Sequence, residues 1–169
     1  NLNSPESFDE VFFSTFNDNN QDEYLNFISL VLLRYKKIKY LSKNNNNYKR
    51  ISTIKDIFPK SIHLITFRDP LQHALSLHTQ HIKFLKIQKD NKFVKKYMNY
   101  LGHHEFGILH KSWNIPIRYD DPLNINYWIE QWYLFYKNLL QSFSKDKKPY
   151  LFCYEKISKK NYLSKFMKI

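Results

Sequence analysis

The sequence predicts an α/β fold in which a mainly parallel sheet is flanked by helices. Two short apolar segments, SIHLITF at residues 61–67 and YLFCYE at residues 150–155, closely follow prolines and resemble strands buried on both faces. Segments with a helical spacing of apolar residues precede and separate them. Strands that alternate with helices are typical of parallel sheets. A chain of 169 residues has room for one core, so residues 1–169 are interpreted as a single domain.

The individual helices are predicted from capping residues and apolar spacing. Ser4 is a suitable N-cap, and Pro5 a suitable first residue, for a helix that carries Phe8, Val11 and Phe12. Further helices are predicted at residues 23–41, 51–58, 70–89 and 92–101, and along a face formed by Trp128, Trp132, Phe135 and Leu139. The aromatic residues of that face are interpreted as core. The asparagine-rich segment 42–49 is predicted to be a loop, and residues 102–123, with two glycines and two prolines, to be irregular.

Composition excludes several classes of site. The chain has two glycines, so no glycine-rich phosphate loop lies within it, and its single cysteine excludes a disulfide framework. No run of 18 or more apolar residues occurs, so no transmembrane segment is predicted. The formal net charge of +12 would suit a polyanion partner. However, the lysines are spread along the chain, and Lys, Asn, Ile, Phe and Tyr all have AT-rich codons. We therefore interpret the charge as a solvated surface and predict no nucleic-acid partner.

The stretch FRDPLQHALSLHTQH places a charged junction directly after the first predicted strand. Asp69 is a natural N-cap and Pro70 a natural first helical residue. Helix N-termini attract anions, and open α/β sheets bind ligands at the carboxyl ends of their strands. Arg68 stands at such an end and can hold a phosphate with two hydrogen bonds, and Ser76 points to the same side two turns later. Spacing alone leaves another interpretation open, in which Arg68 pairs with a carboxylate and Ser76 faces solvent.

These residues carry a family resemblance. HLITFRDPLQHALSL resembles the 3′-phosphate-binding segment of the sulfotransferases that use 3′-phosphoadenosine 5′-phosphosulfate (PAPS). In that family a buried strand leads to Arg-[Asp/Asn]-Pro, and a serine follows eight residues after the arginine, as Ser76 follows Arg68. SKNNNNYKRISTIKDIFP and FPKSIHLITFRDP are similar to the family's approach to this strand. FCYEKI resembles its Tyr-Glu-Asp-Leu element, and the whole resemblance covers residues 40–157.

The resemblance implies a fold, a reaction and site residues. The sheet would be like that of the P-loop nucleotide kinases, and the enzyme would transfer a sulfuryl group from PAPS to a hydroxyl or amine without a metal ion. Arg68 and Ser76 would hold the 3′-phosphate, Tyr154 would contact the adenine, and Lys43 would lie near the reaction centre. The acceptor is left open between a small molecule, a glycan and a protein. Bacterial members of the family are cytoplasmic, whereas many eukaryotic members reside in the Golgi.

The sequence also departs from the family pattern. The family's loop for the 5′-phosphosulfate is absent, and the chain begins with Asn1 rather than Met. We therefore expect a partial domain, incomplete at its N-terminus, that is inactive by itself. The family's Lys-Thr-His segment corresponds here to residues 43–45, and Asn45 cannot act as a base. Glu10 and Glu105 are the remaining candidates for the general base.

Other interpretations stay open. The chain could be a P-loop kinase-like phosphotransferase, a non-enzymatic basic module that binds nucleic acid, or an inactive member of the sulfotransferase family. His78 and His81 share a predicted helix, but no HExxH or comparable zinc spacing occurs, so no metal is predicted. GHHEFG, residues 102–107, is interpreted either as an acceptor-site loop or as a plain turn. Cys153 is expected to be buried and inert.

Overall fold

The computed structural model describes residues 21–113, 118–143, 149–159, 161–162 and 164. The helix predicted from Ser4 onward and the candidate base Glu10 lie outside these residues. The described elements, numbered in chain order, are α1 Gln21–Tyr35, a 3-10 helix Asn45–Arg50, α2 Ile51–Ile57, β1 Leu64–Phe67, α3 Pro70–Asp90, α4 Lys92–Tyr100, α5 Ile125–Gln141, β2 Tyr150–Cys153 and a 3-10 helix Tyr154–Lys156. This mixture of helices with a small parallel sheet is broadly an α/β fold.

The two described strands, β1 and β2, pair directly and in parallel. Their register places Leu64 opposite Tyr150 and Phe67 opposite Cys153. Helices α3, α4 and α5 lie between the two strands in sequence, as a parallel connection requires. Both strands therefore end at the same edge of the sheet, and the residues that follow them emerge side by side.

The strands are not buried on both faces, contrary to the prediction. In β1, Leu64 and Thr66 are exposed while Ile65 and Phe67 are half-buried, and β2 is exposed over its first two residues. Leu64, Ile65 and Thr66 all line an open cleft, so β1 is accessible along its length. Cys153 is likewise only half-buried, which corrects the expectation of a buried thiol.

The start of α3 confirms the predicted capping. The Asp69 carboxylate accepts a hydrogen bond from the Gln72 N–H at 2.9 Å, and Pro70 occupies the first helical position. Asn91 caps α4 in the same manner, and Asn124 caps α5. Helices α2, α3 and α4 end within one residue of their predicted limits.

Two predictions near the N-terminal part of the described chain are wrong. Helix α1 ends at Tyr35 rather than Leu41, because Lys36 adopts a left-handed conformation with φ +51°. The N–H groups of Lys36 and Lys37 bond back to the carbonyls of the last turn, which forms a Schellman end. The asparagine-rich segment forms a 3-10 helix over residues 45–50 rather than a loop. Its repeated tight turns suit the turn preference of asparagine.

The core lies where α3 packs against α5. Ala74 of α3 and Tyr127 and Trp128 of α5 are buried there, and Phe106 packs against them from the loop after α4. Trp128 is 1% exposed, and its indole N–H donates to the Pro122 carbonyl at 2.8 Å, so its polar atom is satisfied.

Buried polar side chains of α3 hold the 102–110 loop against this core. His81 accepts a hydrogen bond from the Gly107 N–H at 3.3 Å, and Gln88 accepts one from the Ile108 N–H at 2.7 Å. Gln88 also donates to the sulfur of Met98 at 3.0 Å, which ties α4 to α3. The loop is therefore irregular in secondary structure, as predicted, but firmly attached.

None of the described helices combines the length and the apolar character needed to cross a membrane.

Candidate functional site

The strand-end junction is the place where residues 68–69 leave β1 and residues 154–155 leave β2. Because Phe67 pairs with Cys153, Arg68 and Tyr154 follow at equivalent positions along the edge. The Arg68 guanidinium carbon lies 4.7 Å from the centroid of the Tyr154 ring, within the range of a cation–π contact. The residue predicted to bind the phosphate and the residue predicted to contact the adenine thus touch each other.

Glu155 links the two sides of the strand-end junction. Its Oε1 accepts a hydrogen bond from the Asp69 N–H at 3.0 Å and lies 3.7 Å from Nε of Arg68. Its Oε2 accepts a hydrogen bond from the Cys153 thiol at 3.3 Å. The bond from the Asp69 N–H is the main cause that lowers the pKa of Glu155, to which Arg68 adds a smaller effect. The carboxylate is therefore charged at neutral pH and orients Arg68.

Arg68 still has capacity to bind an anion. Its Nε atom is buried and has no hydrogen-bond partner in the described part of the chain. No hydrogen bond to a described residue engages its two terminal nitrogens, and the side chain is 30% exposed. Arg68 does pair with a carboxylate, that of Glu155, as the alternative interpretation of the sequence expected. The contact of 3.7 Å uses only one edge of the guanidinium, which leaves the fork that suits a phosphate.

The N-terminus of α3 offers fewer donors than the sequence suggests. Asp69 caps the Gln72 N–H, the His73 N–H bonds to the Asp69 carbonyl at 2.9 Å, and Pro70 has no N–H. Within the described structure this leaves the Leu71 N–H as the free donor of the first turn. The helix dipole remains, so an anion here would depend mainly on Arg68 and on the dipole.

Ser76 lies on the exposed side of α3. Its hydroxyl makes no hydrogen bond to any described residue, and at seven residues beyond Asp69 it stands about 10 Å along the helix axis. The structure therefore does not bring Ser76 into contact with Arg68. Only a ligand of nucleotide size could span the distance between the two side chains.

An open cleft of about 1040 Å³ lies beside β1, where Leu64, Ile65 and Thr66 line it. Lys43 and Glu105, two of the candidate catalytic residues, both line it, although they are distant in sequence. Arg68, Ser76 and Tyr154 are not among its lining residues. The candidate site residues thus fall into two groups, one at the strand-end junction and one in the cleft.

Lys43 and Glu105 differ in how they are held. Lys43 is exposed, and its Nζ donates to the Asn45 side chain at 3.0 Å. Glu105 is half-buried and lies 3.4 Å from Nδ1 of His103. Burial favours its neutral form, but the hydrogen bonds from His103 and from its own backbone N–H, with the charges of His103 and His104, hold its pKa below the usual range. Glu105 is therefore a carboxylate at neutral pH.

His73 is a residue that the sequence reasoning missed. It lines the cleft, and it also lies close enough to Arg68 for that charge to affect it. Its Nδ1 is buried without a hydrogen-bond partner among the described residues. Burial first, and then the charge of Arg68, lower the pKa of His73, so its ring is neutral at pH 7. Its position four residues after Asp69 could have revealed it, because that spacing brings a helical side chain back to the same side of the helix, near the junction.

The Trp-rich helix face is only partly core. Trp128 is buried as predicted, whereas Trp132 and Phe135 line the cleft. The loop GHHEFG also contributes Glu105 and Phe106 to the lining of the cleft.

The histidines do not converge on a metal site in the described residues. His78 Nε2 lies 2.8 Å from the Leu123 carbonyl, whereas His81 is buried against Trp128 and His110. No group of three or more His, Cys, Asp or Glu side chains suited to a metal ion occurs in that part of the chain.

Comparison of the chain with protein-family models, with curated proteins and with solved structures gave no significant match.

Proposed function

We propose that this chain carries the 3′-phosphonucleotide-binding half of a PAPS-dependent sulfotransferase, on a sheet of the P-loop nucleotide kinase type. One observation carries the proposal. The parallel pairing of β1 and β2 puts the cationic side chain of Arg68 against the aromatic ring of Tyr154 at the carboxyl edge of the sheet. A cation beside a ring at this edge suits a nucleotide that bears a phosphate on its ribose.

Each ligand group has a partner in this proposal. The terminal nitrogens of Arg68 bind the 3′-phosphate through two parallel hydrogen bonds, and the positive end of α3 adds to the attraction. The Ser76 hydroxyl donates to the same phosphate or to the ribose. Tyr154 is 52% exposed, so the adenine can stack on the part of the ring that Arg68 does not cover.

The reaction would take place toward the cleft. The acceptor oxygen or nitrogen bonds to sulfur while the bond from sulfur to the 5′-phosphate oxygen breaks, and a base takes the acceptor proton. Lys43 would stabilise the charge on the transferring group. The Glu105 carboxylate would receive the proton, although its lowered pKa makes it a weak base, and the neutral ring of His73 is a second candidate base in the same cleft. Because the chain has only two glycines, it contains no glycine-rich loop for the 5′-phosphosulfate, and no residue is assigned to that group.

The lining of the cleft bears on the acceptor. Aromatic and aliphatic side chains predominate there, including Trp113, Trp132 and Phe135. This favours an acceptor with an apolar or aromatic body over a strongly hydrated glycan, because burying hydroxyl groups without partners is unfavourable.

Calorimetric titration of the chain with adenosine 3′,5′-bisphosphate and with adenosine 5′-monophosphate tests the proposal. The two ligands differ only in the phosphate assigned to Arg68. Since a charge-assisted hydrogen bond contributes about 1.5–3 kcal/mol, we expect the bisphosphate to bind about 10- to 100-fold more tightly. Arg68→Ala should remove this preference while leaving the monophosphate affinity nearly unchanged.

Arg34→Ala is the matched control, because Arg34 also lies over a tyrosine ring, 5.9 Å from the centroid of Tyr35, but on α1. It should keep the full preference for the bisphosphate. Equal binding of the two ligands by the unaltered chain, or an equal loss in both arginine variants, would contradict the proposed phosphate site.

A further inference from the structure

Helix α4, KFVKKYMNY, carries an exposed stripe of aromatic residues. Phe93, Tyr97 and Tyr100 follow at the i, i+4, i+7 spacing of one helix side and are 70%, 52% and 68% exposed. The other side of the helix faces the protein, since Val94 is half-buried and Met98 accepts the hydrogen bond from Gln88. Three large aromatic side chains on nine residues are thus directed to solvent.

The first two rings of the stripe lie against each other. Phe93 and Tyr97 are stacked, with centroids 5.7 Å apart and an interplanar angle of 11°. One face of each ring is therefore already covered by its neighbour. The stripe is an apolar ridge with a stacked pair at its start rather than a set of three separate platforms on which bases could stack.

Lysines border the ridge. Lys92 and Lys96 are exposed on the adjacent side of α4, Lys95 is half-buried, and α4 contains no acidic residue. These lysines make no ion pair with a described residue. At 100° per residue, Lys96 lies about 60° and Lys92 about 100° from Phe93 around the helix axis. The helix thus combines an exposed apolar edge with an unneutralised basic flank.

We propose that α4 is a surface through which this chain associates peripherally with an anionic lipid bilayer. Aromatic side chains are favoured at the headgroup level, and lysines beside them are attracted to acidic lipid headgroups. Association with a second copy through the same face would bring like charges together. The covered ring faces disfavour a single-stranded nucleic acid. The proposal does not depend on sulfuryl transfer.

Sedimentation of the chain with vesicles tests this surface. Phosphatidylcholine vesicles with about one-third phosphatidylserine should bind the chain, pure phosphatidylcholine vesicles should bind it at least about tenfold more weakly, and added salt should reduce binding. Lys92→Gln with Lys96→Gln should lower the partition constant about fivefold for each lysine removed. Replacing Phe93, Tyr97 and Tyr100 by Ser should abolish binding.

Leu30→Ser with Leu33→Ser is the matched control, since both leucines are exposed apolar residues on α1. This variant should bind as the unaltered chain does, and circular dichroism should show that each variant is folded. The lysine variant retains the aromatic ridge, so it keeps the test decisive if the triple serine variant does not fold. Equal binding to neutral and anionic vesicles, or an equal loss in the leucine variant, would overturn the proposal. So would failure to bind vesicles combined with lysine-dependent binding of single-stranded RNA.

Discussion

Polar side chains occur both in the core between α3 and α5 and near the strand-end junction. The two regions differ in how far these side chains are hydrogen-bonded. In the core, His81 and Gln88 are buried and accept hydrogen bonds from the backbone of the 102–110 loop. At the junction, the terminal nitrogens of Arg68 make no hydrogen bond to a described residue, and neither does the hydroxyl of Ser76, two turns along α3. The first set of polar groups is hydrogen-bonded within the fold, whereas the second set makes no hydrogen bond to the described residues.

Under the proposed function, this difference separates polar residues that stabilise the fold from polar residues that bind the nucleotide. A buried polar group that the protein itself satisfies contributes to stability and to a unique packing. Polar groups that converge at the end of parallel strands without partners contribute little to stability and are available for binding. Substitutions in the core should therefore affect mainly unfolding, and substitutions at the junction should affect mainly ligand affinity.

The largest expected effect is that of Trp128→Ala. Trp128 is 1% exposed, and its indole packs against His81, His110 and Phe106. Its removal leaves a cavity and should lower the free energy of unfolding by about 3–5 kcal/mol, measured by urea denaturation. Tyr154→Ala, at the half-exposed junction, should lower it by less than about 1 kcal/mol. Similar losses in both variants would remove the distinction between the two regions.

A smaller loss of stability is expected for Gly107→Ala. Gly107 has φ +87°, and an added Cβ would clash with Oε1 of Gln88, which already accepts a hydrogen bond from the Ile108 N–H. Backbone strain and this clash together should reduce the free energy of unfolding by about 2 kcal/mol. Gly102→Ala has a similar φ of +70° and measures the backbone strain without that contact. Equal losses in the two variants would show that Gln88 moves away freely.

The sequence anticipated those features of the junction that depend on neighbouring residues. Asp69 and Pro70 signal a helix start, and the residue after a strand necessarily stands at its carboxyl end, so Arg68 could be placed. The hydrogen bond from the Asp69 N–H to Glu155 could not be predicted, because it depends on the pairing of two strands that are far apart in sequence. The exposure of Leu64 was missed for a similar reason, since apolar composition does not reveal that β1 lies beside an open cleft.

The buried ring of His81 makes the stability of the core depend on pH. Burial first, and then the charges of His110 and His78, lower the pKa of His81 to about 4. Its folded pKa is thus below the unfolded value of 6.5, so the unfolded chain binds more protons between these values. The stability that neutral His81 contributes is complete above pH 6.5 and is lost as the pH falls toward 4.

Urea midpoints should therefore decrease as the pH is lowered from about 7 to about 4.5, and His81→Gln should show a smaller decrease. His63, His73 and His110 also have lowered pKa values and account for the remaining slope. Glu105 and Glu155 have pKa values below 4.5, so they lose their contribution only at lower pH. If the urea midpoint of the His81 variant falls with pH as steeply as that of the unaltered chain, protonation of His81 does not cause the loss of stability.

The smallest expected effect is that of Glu155→Gln. The amide oxygen of Gln can still accept the hydrogen bond from the Asp69 N–H, but the negative charge 3.7 Å from Nε of Arg68 is removed. Calorimetry should show about two- to fivefold tighter binding of adenosine 3′,5′-bisphosphate, with little change for the monophosphate. Weaker binding of the bisphosphate would instead show that the carboxylate is needed to orient Arg68.

The most direct test of the account is a crystal structure of the chain with adenosine 3′,5′-bisphosphate. We predict that both terminal nitrogens of Arg68 lie about 2.7–2.9 Å from oxygens of the 3′-phosphate, with the adenine against Tyr154 and the ribose side toward Ser76. Arg68 should keep its contact with the Tyr154 ring. A nucleotide bound elsewhere, or one that places its 5′-phosphate on Arg68 and its 3′-phosphate in solvent, would contradict the assignment of the junction as the 3′-phosphate site.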